Sequence, residues 1–167
     1  MNTNERESQD AFERLQALME RLPEMQEKGA SLSRAREARR LIALRGQTEA
    51  LEQEYASYQR IYDTALAAAQ EADVRGDSGA LARERGIARS YAELIATRTA
   101  PLQRAREALA AQWESSSFAP GELPQLADAA LDEATFAALE QEVASYQQDF
   151  QETYALCKKL EGEAEPG

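Results

Sequence analysis

Along most of this chain apolar residues return at every third or fourth position, with charged and amide residues filling the gaps. That spacing puts the apolar set on one face of an α-helix, whereas a strand would alternate at every second residue. The longest such stripe is Leu41, Leu44, Thr48, Leu51, Tyr55, Tyr58, Tyr62, Ala65 and Ala69, in which steps of three and four alternate strictly. It is a heptad seam and predicts a helix from about Ser33 to Val74, roughly 60 Å long at the usual rise per residue. A second seam, Leu81, Glu84, Ala88, Tyr91, Ile95, Arg98, Leu102, Ala105 and Leu109, predicts a helix ending near Trp113. A third, Phe136, Leu139, Val143, Tyr146, Phe150, Thr153, Cys157 and Leu160, begins after Asp132 as N-cap. A shorter stripe, Phe12, Leu15, Met19 and Leu22, marks an opening helix from about Asn4 to Lys28.

The breaks are as legible as the seams. Pro23 removes an intrahelical bond and kinks or interrupts the first helix, and Gly29 with Ala30 weakens it further. Residues 75–79, Arg-Gly-Asp-Ser-Gly, form a tight turn in which glycine accepts positive φ and Asp77 or Ser78 caps the next helix. Residues 114–131, with three serines and Pro120-Gly121 and Pro124, read as the longest connection. The acidic end, 162–167, reads as a disordered tail, leaving 1–161 as a single helical-bundle domain.

Short turns make successive helices antiparallel neighbours. The expected fold is therefore all-α, an elongated antiparallel bundle or coiled coil of about four helices around a long central hairpin at Gly76. Pairing residue i with about 152−i sets Tyr62 near Tyr91 and Tyr58 near Ile95. If the last helix returns along the hairpin, Tyr58, Tyr62, Tyr91, Tyr146 and Phe150 form one aromatic layer. The shorter first helix would cover Leu41 and Leu44.

One stretch occurs twice. Leu-Glu-Gln-Glu-Tyr-Ala-Ser-Tyr-Gln at 51–59 returns at 139–147 with only Tyr55 replaced by Val143, in the same heptad phase. Arg-Ala-Arg-Glu-Ala at 34–38 returns at 104–108, and a weaker echo relates Leu15, Gln16 and Leu22 to Leu102, Gln103 and Leu109. Convergence of low-complexity helical sequence and duplication of a two-helix unit both account for this. Either way, the second and fourth predicted helices should present similar faces.

Composition narrows the chemistry. Histidine is absent and cysteine occurs once, which removes the commonest general base, the usual zinc ligands and any internal disulfide. Neither metal site nor cofactor is expected. Among seam positions only Glu84 is acidic, and its expected role is an ion pair with Arg98 or an arginine of a neighbouring helix, or a place at a helix end open to water. Cys157, on a seam, is expected to act as a small buried hydrophobe. No apolar run approaches the roughly 20 residues that span a membrane, and the polar start of the chain shows no secretory signal, so a cytoplasmic location is the expectation. The net charge of −11 is uneven: −3 over 1–30, +1 over 31–120 and −9 over 121–167. Nucleic-acid binding lacks its usual basic excess. The arginines at 34, 36, 39, 40 and 45, interrupted by Glu37, read as a solvated face or a docking strip for the acidic last helix.

No catalytic set emerges, so the expected function is a non-catalytic scaffold, adaptor or assembly chaperone. It would bind protein partners, or a second copy of itself, through heptad faces at Leu41, Leu44, Leu51 and Tyr55. One alternative is a small-molecule-binding bundle using Tyr58, Tyr62, Tyr91 and Tyr146. Another is an acidic mimic of nucleic acid.

Overall fold

A computed structural model describes residues 3–119 and 121–164. They form five α-helices, α1 (Thr3–Glu20), α2 (Leu22–Arg75), α3 (Ser78–Ser115), α4 (Leu123–Ala130) and α5 (Glu133–Ala164), with no strand among the described residues. The fold is all-α and contains the long antiparallel α2–α3 hairpin that the turn at Gly76 predicts. α2 alone has 54 residues and is about 80 Å long. The chain groups into two compact units, Met1–Ala38 with Leu123–Gly167, and Arg39–Glu122.

In the first unit, α1 and residues 22–38 of α2 run antiparallel to α5, as the pairs Arg14–Asp149 and Lys28–Glu142 require. The sequence set the first helix over Leu41 and Leu44; in the structure α1 packs on α5. The break between α1 and α2 is the single residue Arg21, not the Gly29–Ala30 pair. Proline explains it. Pro23 has no N–H for the carbonyl one turn earlier and its ring crowds that turn, but it is tolerated in the first turn of a new helix. Regular bonding resumes when Met25 N–H donates to the Arg21 carbonyl at 3.0 Å. Gly29 costs the helix only about 1 kcal/mol, less than burial of Met25 and Leu32 on either side returns. The helix therefore runs straight through the residues expected to cap a new one.

The buried face of α1 also differs from its expected one. Phe12 is 62% exposed and Met19 55%, while the core takes Ala11 and Leu18 instead. A stripe read only to Leu22 could be placed in either of two adjacent phases. Continued through the break, the buried residues Ala11, Leu18, Met25 and Leu32 keep a seven-residue spacing that Phe12 and Met19 cannot share. Leu18, Met25, Leu32, Val143 and Tyr146 form the core, with Leu22, Phe136, Leu139 and Phe150 packed around it.

The expected 114–131 connection contains a helix that the sequence reading missed. Leu123, Leu126 and Ala130 hold three- and four-residue steps in α4, and Leu126 and Ala130 are buried. Pro124 falls in its first turn, where the missing N–H is not needed. α4 ends at Leu131, whose φ of 63° lies in the left-handed region and costs a non-glycine residue about 1 kcal/mol. Asp132 then caps α5, its carboxylate accepting from Thr135 N–H at 2.7 Å. α5 runs on through 162–164, where the sequence suggested a tail; residues 165–167 lie outside the described residues.

The second unit is built on the α2–α3 hairpin. Gly76 turns at φ 72°, its N–H donates to Asp73, and the Asp77 carboxylate caps α3 by accepting from Ala80 N–H at 3.0 Å. Next to the turn the two helices meet through Ala65, Ala69, Ala72 and Ala88, all buried, and small side chains let helix backbones approach closely. Pro101 lies inside α3. Every position of the two predicted hairpin seams, and every position of the α5 seam, is buried or half-buried.

Candidate functional site

The nine-residue motif reveals its purpose in the second unit. Glu54 and Glu52 both reach across from α2 to α3, where Glu54 accepts from Arg98 at 2.9 Å and Glu52 from Arg106 at 3.1 Å. Tyr58, one turn on, donates its hydroxyl to Glu54 at 2.7 Å. Those two donors, the tyrosine first and the guanidinium second, hold the Glu54 carboxyl below its ordinary value. In return the carboxylate raises Tyr58 and Arg98. Glu84, expected beside Arg98, instead has Arg83 at 3.8 Å.

The second copy of the motif repeats the arrangement inside the first unit. Glu142, equivalent to Glu54, pairs with Lys28 at 2.5 Å, and Glu140, equivalent to Glu52, pairs with Arg36 at 3.2 Å. Hydrogen bonds from Lys28 to Glu142 and Glu24 hold the lysine above its ordinary value and Glu24 below. The facing helices correspond as well. Lys28 and Arg36 stand to Arg98 and Arg106 at a constant offset of 70, the offset that relates the two Arg-Ala-Arg-Glu-Ala runs. Leu32 and Leu102, and Leu18 and Ala88, occupy matching buried positions at that same offset. Even the rings correspond: Tyr58 meets Tyr91 edge-on at 5.8 Å, while Tyr146 lies under the guanidinium of Arg21 at 5.6 Å. Arg36 thus serves as the docking strip for the acidic helix that the arginine cluster suggested. The weaker echo at Leu15 and Leu102 is not the alignment the structure uses.

In the first unit this pairing leaves two unlike flanks beside the seam. Arg14, Arg21 and Lys28, seven residues apart, face the α5 side that carries Glu142 and Asp149, and ion pairs close it. On the other flank stand Phe12, Met19 and Gln26, all exposed and each one position past a buried seam residue. There Leu22, Met25, Gln26, Gly29, Tyr146, Gln147, Phe150 and Gln151 line an open groove of about 310 Å³. Tyr154 stacks on Phe150 at 6.5 Å, and Lys158 sits over its ring at 5.3 Å.

The expected site residues divide between the two units. Leu41 has no exposed surface to offer a partner, while Leu44, Leu51 and Tyr55 are half-buried along α2. Tyr58 and Tyr91 touch in the second unit, with Tyr62 half-buried on the same seam. Tyr91 makes its ring contact with Tyr58, one turn from the Tyr62 pairing that the midpoint of the turn sets. Tyr146 and Phe150 pack in the first unit, ring centroids 6.1 Å apart. The Tyr146 hydroxyl is occupied: it donates to the Leu18 carbonyl at 2.6 Å, near the end of α1 where carbonyls run short of intrahelical partners. Sequence reasoning missed Phe12 and Met19 as surface residues. The signal that finds them is the seven-residue run Leu18, Met25 and Leu32 traced across Pro23.

Cys157 is half-buried on its seam. Among the described residues no group of three His, Cys, Asp or Glu side chains lies close enough to hold a metal ion. Nor, among them, is any helix long and apolar enough to cross a membrane. No family model, no curated protein and no solved structure matches the chain.

Proposed function

We propose that this chain is a non-catalytic helical scaffold that binds a protein partner through a helix face. The observation that supports it is the amount of large apolar surface left at the edges of well-formed helix pairs. Phe12, Met19 and Tyr154 stand exposed on one flank of the first unit, and Ile42, Ile61, Leu66 and Leu94 in the second. Single exposed apolar residues are ordinary, but several in heptad phase beside a groove are a recurring feature of helix-binding surfaces. The lack of any histidine, and carboxylates engaged with arginine and lysine across helices, leave little for acid–base chemistry. The test is affinity capture from the native cell, with the full chain as bait and a crosslinker fixing contacts before lysis. A single stoichiometric protein, crosslinked to a helix face and retained at high salt, is the expected result. Recovery of the bait alone would overturn the reading.

The groove beside Tyr146 keeps a second reading open, a small-molecule-binding bundle, since its volume suits a modest ligand. Its tyrosine hydroxyl is already spent on the Leu18 carbonyl, so recognition would fall to Gln26, Gln147 and Gln151. Stabilisation by a metabolite library that is lost in Gln147→Ala would favour it.

A further inference from the structure

We infer that the apolar flank of the first unit is a docking groove for a basic amphipathic helix of another protein. This rests on the partner-binding reading above and names its surface and the chemistry of its occupant. Three observations converge on it. The buried residues Ala11, Leu18, Met25 and Leu32 keep one phase across Arg21, so Phe12, Met19 and Gln26 stand in line on one flank of α1 and α2. At Gln26 this line reaches a trough that Leu22, Met25 and Gly29 form with Tyr146, Gln147, Phe150 and Gln151 of α5, its floor open at Gly29, where an added Cβ would meet nothing within 4 Å. The trough thus has two apolar walls with amides between them, and one side chain of an incoming helix fits the space above Gly29.

Charge decides the occupant. Glu13, Glu20 and Glu27, again seven residues apart and all exposed, add acid to the outer surface of α1 and α2 beyond Phe12, Met19 and Gln26. The unit as a whole carries 18 acids against eight bases. The opposite flank, by contrast, has its charges closed in pairs at Arg14–Asp149 and Lys28–Glu142. A third helix laid in the trough buries its apolar stripe against Phe12, Met19 and Phe150. Lysines or arginines flanking that stripe are then drawn to the unit's excess of acids, as flanking charges set partner choice in coiled coils. The same unit of a second copy carries the same excess of acids, so like charge opposes its docking here.

The experiment uses the full chain and synthetic three-heptad peptides, read by fluorescence anisotropy at physiological salt. One peptide has leucine at the a and d positions and lysine at e and g. The second has the same composition scrambled, and the third replaces lysine with glutamate. The lysine peptide is expected to bind at least tenfold more tightly than the scrambled one and more tightly still than the glutamate one. Phe12→Ser with Met19→Ser should weaken it at least tenfold, and Glu13→Gln with Glu20→Gln and Glu27→Gln should weaken it severalfold and flatten its salt dependence. Leu66→Ser, in the second unit, should change nothing. Circular dichroism of each variant, expected to match wild type, checks that the exposed substitutions leave the helices intact.

Equal binding of the scrambled peptide would mean bulk electrostatics and would overturn the proposal, as would indifference to the Phe12 and Met19 substitutions. Dimerisation abolished by those substitutions would overturn it in favour of a second copy as occupant. If the native partner is captured equally by wild type and by the Phe12/Met19 variant, the scaffold reading stands and this groove falls. If neither partner nor peptide binds, both fall.

Discussion

The two units share one pairing scheme and differ in what they leave outside it. In each, the same nine-residue motif lays its first and second glutamates across to bases eight residues apart on an antiparallel helix. The order along the chain is exchanged, however. The basic run comes before the motif in the first unit and after it in the second, because α2 supplies the basic run to one unit and the motif to the other. What diverges is the filling and the charge. Where the first unit has Leu18, the second has Ala88, and Thr153 and Cys157 of α5 answer to Ala65 and Ala69 of α2. The first unit carries 18 acids and eight bases, the second 12 and 11. Seam and ion pairs fix which helices meet, and residues one position off the seam determine what else each unit meets.

The largest test of this equivalence lies at the matched leucines. Leu32→Ala and Leu102→Ala each remove a buried side chain at the same place in the scheme and should each cost about 3 kcal/mol. Urea unfolding measures the loss. Trp113, the sole tryptophan and within the second unit, reports locally on Leu102→Ala, and hydrogen exchange along α5 reports on Leu32→Ala. Exchange that accelerates equally in both units for either substitution would show one cooperative block in place of two separable units.

The tyrosines should break the symmetry. Tyr146→Phe strands the Leu18 carbonyl, which accepts its buried hydroxyl, and should cost about 1–2 kcal/mol. Tyr58→Phe removes a bond to a glutamate that retains Arg98 and water, and the loss should be clearly smaller. Equal losses in urea midpoint would mean that the two hydroxyls do the same work.

Pattern length explains why the sequence revealed the hairpin and α5 but misphased α1. Nine uninterrupted seam entries in α2 admit one phase, and the structure buries or half-buries all of them. Four entries ending at Pro23 admit two, and the larger side chains Phe12 and Met19 favoured the wrong one. Ala11, the buried residue beside Phe12, is too small to announce itself. α4 was hidden for a related reason: proline and glycine around it read as loop, although proline suits a helix's first turn. The candidate groove was legible only in part. Its α5 wall was already named by Tyr146 and Phe150, but the other wall, Leu22, Met25, Gln26 and Gly29, depends on α2 beginning at Leu22 and running on through Gly29.

Acid separates the two copies of the ion pairing more gently. Glu54 sits below its ordinary value of 4.5 because Tyr58 and Arg98 bind its charged form. Its stabilising effect is therefore present above pH 4.5 and lost as pH falls through the lower folded-state value. Glu54→Gln should flatten that acid limb in the second unit while leaving the first unchanged. In the first unit Glu24 adds an acid limb of the same sign. Lys28, raised above 10.5, adds an alkaline one, present below that value and lost as pH climbs past the raised one. Lys28→Met should remove the alkaline loss in the first unit only, as exchange rates at pH 7 and pH 11 would reveal. An alkaline limb that persists in the variant would show that Lys28 does not carry it.

The smallest effect is also the one that separates stability from docking. At Gly29 in the first unit and Gly86 in the second, an added Cβ meets nothing within 4 Å, so alanine at either should stabilise its helix by about 0.5–1 kcal/mol. Thermal unfolding should therefore rise slightly for both. Only Gly29→Ala places its methyl in the groove between Met25 and Phe150. If that groove receives a partner's side chain, Gly29→Ala weakens binding while raising stability, and Gly86→Ala raises stability alone. Opposite signs on the two readouts at Gly29 could not come from a change in folding, whereas a loss of both would mean that the glycine is there for the helix's own packing.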